Sequence, residues 1–64
     1  MKPKVGDRMK WIGQAGVRID YGTVVRVSTH NSEYDILWDN PDEDTGEALA
    51  TYDYLNTASS VRPA

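Results

Sequence analysis

The chain contains no cysteine and a single histidine, His30, so neither a disulfide framework nor a thiolate metal site can staple its 64 residues. A domain of this size buries only roughly 60% of the surface its unfolded chain exposes. It must therefore commit nearly every large apolar side chain to packing, or borrow apolar surface from a partner subunit. Homo-oligomerisation stays open on this ground. With 39% hydrophobic and 27% charged residues, the balance is that of a globular protein rather than a disordered or membrane one. No apolar run approaches the roughly 18 residues of a membrane span, and "MKPKVGD" lacks the apolar stretch of a secretory signal. A cytoplasmic location, with no membrane partner, is the expectation. The short untethered chain from Met1 suggests an accessory protein of a bacterium or phage that modulates a larger complex.

The apolar pattern is one of short strands. Residues 1–64 read as one domain, with a core over about residues 5–61 and frayed ends at "MKPK" and "RPA". Val5, Met9 and Trp11 share one parity in "VGDRMKW", which predicts a first strand. "IGQAGVRIDYG" carries three glycines without an apolar period and predicts a long loop. "TVVRVS" is the clearest strand, because β-branched side chains suit a pleated surface. Strict alternation there puts Val25 and Val27 on one face and Val24 and Arg26 on the other. "THNS" follows as a tight turn in which Asn31 tolerates the left-handed conformation. In "EYDILWD", Tyr34, Ile36 and Trp38 share the core face, while Leu37 breaks the alternation and implies a central strand buried partly on both sides. "NPDEDTG" is a turn, with Pro41 and Gly46 as its markers. "EALATY" fits a strand or a short helix, "YDYLN" a single helical turn, and "ASSV" a last strand. The expected fold class is all-β: a small antiparallel barrel of five strands with a short helical turn before the last.

Charge is divided unevenly. Residues 1–28 carry six Lys or Arg against two acidic residues, and residues 29–64 carry one against eight. This asymmetry makes a bipolar surface unless neighbouring strands interleave the two sets. The interleaved arrangement is the simpler expectation.

Together "VGDRMKW", "YGTVVRV", "YDILWDN" and "YDYL" resemble the Src-homology-3-like small barrels of the Tudor, KOW and Mib-Herc type, over roughly residues 5–61. The resemblance to Tudor and Mib-Herc domains lies in the "W-D" strand ending and the aromatic content, and it implies binding of peptides or proteins. A more distant likeness is to the type II dihydrofolate reductases, through "GDR" and "G-T-V". That family's Val-Gln-Ile-Tyr segment is missing, since the corresponding region reads "ALATYDY" within the acidic half. A reductase is not expected.

The aromatic residues are Trp11, Tyr21, Tyr34, Trp38, Tyr52 and Tyr54, with no Phe. Rings with a polar handle suit positions that are dry at one end and wet at the other. In a Tudor-like barrel, Trp11 and Tyr21 would approach the region of Trp38 and Asp39, and aromatic rings beside a carboxylate attract lysine, arginine or a methylated amine. The expected protein-binding residues are Trp11, Tyr21, Asp39, Tyr52, Asp53 and Tyr54, with Trp38 assigned to the core. The alternative partner is nucleic acid, bound by Arg8, Lys10, Arg18 and Arg26 if these form one basic stripe. Asp42, Asp44 and Gly46 suggest calcium ligands, but Glu47 and Asp53 occupy the positions where the calcium loop needs its glycine and its bidentate Glu. Neither a metal nor another cofactor is expected. His30 lies in a turn between Ser28 and Ser32 without an orienting third group, so no catalytic residue is assigned and the chain reads as a non-enzymatic interaction module.

Overall fold

The computed structural model describes residues 2–13, 16, 18–55 and 61–64. They form five antiparallel strands in one sheet: β1 (Arg8–Gly13), β2 (Arg18–Val27), β3 (Glu33–Trp38), β4 (Leu49–Asp53) and β5 (Val61–Pro63), in the order β4-β3-β2-β1-β5. Strands β4 and β5 are the two edges, so the sheet is open rather than the closed barrel expected from sequence. "EALATY" resolves as strand. The helical turn expected over "YDYLN" is not formed by its first residues, because Tyr52 and Asp53 complete β4 and pair with Tyr34 and Glu33. Tyr54 and Leu55 form a turn after β4, with the Tyr54 amide still donating to the Ser32 carbonyl at 2.9 Å. Asn56 and most of "ASSV" lie outside the described residues.

The largest departure from expectation is β2. It has ten residues and begins at Arg18, so residues 18–22 of the stretch read as a loop form its first half, while Ile12 and Gly13 end β1; the two strands pair from Gly13↔Arg18 to Arg8↔Thr23. Glycine here marks a place where another group comes close, not a turn. A side chain on Gly22 would sit 2.6 Å from Ile36 Cγ2 and 2.9 Å from Trp38 Cε3, and one on Gly13 would enter the Trp11 ring.

Farther along, the pairing shifts. Val24 lies opposite Ile36 but Arg26 lies opposite Asp35, leaving Val25 as the extra residue of a β-bulge. The bulge reverses the expected faces. Val24 and Val27 now share the inner face, opposite Ile36 and Tyr34, and Arg26 turns outward. Strict alternation would have aimed a guanidinium into the core.

Five apolar side chains make that core: Met9, Val24, Tyr34, Ile36 and Val61, with Trp11, Val27, Trp38, Tyr52 and Tyr54 packed against it. Trp38 is therefore a core neighbour but remains half-buried. Leu37, expected to be partly buried, is 47% exposed. The outer face of β3 is buried instead at Asp35, which accepts hydrogen bonds from Arg26 Nε at 2.7 Å, Arg26 Nη2 at 3.3 Å and Thr51 Oγ1 at 2.7 Å. The β2–β3 turn is closed by the Ser28 amide donating to the Glu33 carbonyl at 2.8 Å, and its left-handed residue is Ser32 (φ 60°), not Asn31. Asn31 instead donates its side-chain amide to Glu33 Oε1 at 2.6 Å.

Hydrogen bonds from Arg26 and then Thr51 hold the Asp35 carboxyl below the usual carboxylate range, and those from Arg8 do the same for Asp39. A carboxyl depressed on folding adds stability above its unfolded value of about 3.9, and loses it as pH falls through the lower folded value. The melting temperature should therefore drop as pH falls from about 5 to about 2. Thermal melts of Asp35→Asn should show a shallower drop over that window; an unchanged slope would contradict the assignment.

Candidate functional site

On the inner face the ends of β1, β3 and β4 leave a cleft of about 230 Å³ walled by Trp11, Trp38 and Tyr52. The backbone explains why these rings stand there. Trp11 pairs across the sheet with Asp20, and Trp38 pairs with Gly22, so both indoles belong to the inner face of the long strand β2. Gly13 and Gly22 remove the side chains that would block them. The Trp38 indole N–H donates to Tyr52 Oη at 3.2 Å, and the two rings meet edge-to-face at 6.3 Å and 86°. Tyr52 also lies 5.7 Å from the Tyr34 ring, tying the cleft wall to the core.

The rim of the cleft is acidic. Asp20, Asp42 and Glu47 line it, against one cation among the described residues, Arg18, whose Nε lies 3.3 Å from Asp20 Oδ2. The acidic segment between β3 and β4 is folded by its own side chains: Asp42 Oδ1 accepts from the amides of Asp44 at 2.8 Å and Thr45 at 3.2 Å. The Asp42 amide donates to the Glu47 carbonyl at 2.8 Å, which brings both carboxylates to the same side of the loop as Trp38. No group of three or more His, Cys, Asp or Glu among the described residues is arranged to hold a metal ion.

The expected protein-binding residues are only partly brought together. Trp11 and Tyr52 line this cleft; Tyr54 lines a second inner-face cleft of about 290 Å³ with Met9, Tyr34 and Val61. Tyr21 lies on the opposite face, 45% exposed, paired across the sheet with Lys10. Asp39 is also outside, in a bidentate pair with Arg8 at 3.1 and 2.7 Å, where Arg8 also donates to Thr23 Oγ1 at 2.7 Å. Asp53 pairs with Glu33 across the sheet, and its carboxylate accepts from the Leu55 amide at 2.8 Å. Sequence reasoning missed Asp20, Asp42 and Glu47 as cleft carboxylates and placed Trp38 in the core alone. The signal lay in "RIDYG": read as strand, it sets Asp20 beside Trp11.

The four basic residues do not all share one face. Arg8, Lys10 and Arg26 lie on the outer face and Arg18 on the inner, while Arg8, Arg18 and Arg26 each pair with an aspartate, Asp39, Asp20 and Asp35 in turn. Two of these pairs, Arg8–Asp39 and Arg26–Asp35, join the two charge sets of the sequence across strands, whereas residues 41–53 keep five carboxylates together without a Lys or Arg among them. No helix among the described residues is long and apolar enough to cross a membrane.

Because Gly22 lies under Trp38 and Ile36, Gly22→Ala should cost about 1–3 kcal/mol by overpacking. Denaturant unfolding will measure it, and the Trp38 indole resonance should move in the folded variant. A neutral effect on both would contradict the close approach.

No family model, curated protein or solved structure matches the chain, so the case for a function rests on the cleft's own residues.

Proposed function

We propose that the chain is a non-enzymatic interaction module that binds a protein or peptide through a basic side chain seated in the Trp11–Trp38–Tyr52 cleft. The observation that carries this reading is the combination of three aromatic walls with the carboxylates of Asp20, Asp42 and Glu47. Ring faces and carboxylates attract a cation by the same sign of potential, and a half-dry cleft weakens solvent screening. Its volume suits a single head group rather than a drug-sized ligand. Nucleic acid is the poorer partner, because phosphates would meet an acidic rim and arginines already paired with aspartates.

We further propose that the sheet belongs to the Src-homology-3-like small-barrel class. Four consecutive strands form a meander and the fifth returns to pair with β1, while Tyr54 and Leu55 after β4 share a cleft with Val61 and Pro63 of β5, as they would if the edges curled toward each other.

The ligand reading is tested by titrating short peptides with a central lysine, trimethyllysine or glutamine while recording the indole N–H resonances. The cationic peptides should shift both Trp11 and Trp38 and bind about tenfold or more tightly than the glutamine peptide. Trp11→Ala should remove that preference. Equal binding of the glutamine peptide, or indoles that do not respond, would exclude a cation site.

A further inference from the structure

The two edges of the sheet are not equivalent. Strand β5 is three residues long, carries Arg62 and ends in Pro63, which has no N–H to offer. Short length, charge and proline are the devices that blunt an edge against pairing. Strand β4 is longer, with five residues, and "LATYD" contains no proline, lysine or bulge, its one charge being Asp53 at its end.

Its backbone directions can be read from its partners. The Trp38 amide donates to the Ala48 carbonyl and the Tyr54 amide to the Ser32 carbonyl, both at 2.8–2.9 Å, so the even-numbered residues of β4 face β3. In an antiparallel strand the next residues point the opposite way. The N–H and C=O groups of Leu49 and Thr51 are thus directed to the open side, where no described residue pairs with them.

We propose that this edge of β4 takes up an extended segment of a partner protein as a sixth strand, one in which apolar and basic residues alternate. The chemistry of the occupant follows from the two faces of the edge. Outside, Leu49 lies opposite Leu37 and the two are 53% and 47% exposed, an apolar shelf for every second side chain of the added strand. Inside, Tyr52 and Glu47 border the aromatic cleft, where the alternate side chains would arrive. Residues 41–53 hold Asp42, Glu43, Asp44, Glu47 and Asp53 and no Lys or Arg, so the edge calls for positive charge. A second copy fits less well, since antiparallel pairing about Thr51 would set each Leu49 against an Asp53 and add nothing basic. The proposal rests on the protein-binding reading for the class of partner but adds a backbone contact that reading does not require.

The test separates the two. Amide hydrogen exchange of the protein is followed with a capped peptide of alternating lysine and valine, and with its analogue N-methylated at alternate residues, which keeps the side chains but cannot pair as a strand. Strand addition predicts that the first peptide slows exchange at Leu49 and Thr51 by about tenfold or more, and that the methylated one does not. Leu49→Pro, at the first position of the strand where proline is tolerated, should abolish the protection at Thr51 while the core amides of Val24 and Ile36 stay slow. Equal binding of both peptides, with indole shifts but no protection at Leu49 and Thr51, would overturn strand addition and leave the cleft reading standing. Failure of the unmethylated peptide to bind, or protection that grows with protein concentration alone and so marks self-pairing, would overturn it as well.

Discussion

One extra residue in β2 decides which side chains this small sheet can bury. Up to Val24 the pairing with β3 runs in one register, and from Arg26 it runs one residue out of step, with Val25 unpaired between them. The shift is worth more than the lost ladder position. It lets Val24 and Val27 both face inward, sets Arg26 directly opposite Asp35 on the outside, and keeps charge out of a core that rests on five side chains among the described residues. A slipped register would exchange the two faces of every residue beyond it. A core of five apolar side chains among the described residues has little to spare in such an exchange.

The cleft is a consequence of the same strand. Its first half carries Gly22 where Trp38 lies down and Asp20 where Trp11 stands, so a wall and an acid of the site are both placed by β2 while the rings come from its neighbours. Core and site are continuous through Tyr52, which touches Tyr34 on one side and bonds to Trp38 on the other. Outside, the ion pairs Arg8–Asp39 and Arg26–Asp35 link β1 to the end of β3 and β2 to β3 across the sheet. The exposed Arg8–Asp39 pair contributes little to stability. The larger effect of the two pairs is to fix strand partners and to neutralise Arg8 and Arg26.

Much of the architecture was legible in the amino acids. The β-branched run of "TVVRV", the shared parity of Tyr34, Ile36 and Trp38, and the turn residues of "NPDEDTG" each report local physics that the folded chain keeps. What misled were residues whose role depends on a neighbour distant in sequence. Gly13 and Gly22 look like loop markers until the rings above them are known. Val25 looks as if it shares a face with Val27 until the bulge is seen, and Leu37 looks partly buried until Asp35, satisfied by Arg26 and Thr51, turns out to fill that face. The cleft was half visible for the same reason: Trp11 and Tyr52 announce themselves as amphipathic rings, whereas Asp20, Asp42 and Glu47 become site residues only through the β1–β2 pairing and the folding of the acidic loop.

The register of β2 against β3 is the claim on which the core, the outer charge pairs and the cleft all depend, and cross-strand backbone contacts measured by nuclear Overhauser spectroscopy test it directly. The bulged arrangement predicts contacts between Val24 and Ile36, between Arg26 and Asp35 and between Val27 and Tyr34, with Val25 opposite no residue of β3. Contacts running unbroken from Val24–Ile36 to Val25–Asp35 and Arg26–Tyr34 would contradict it.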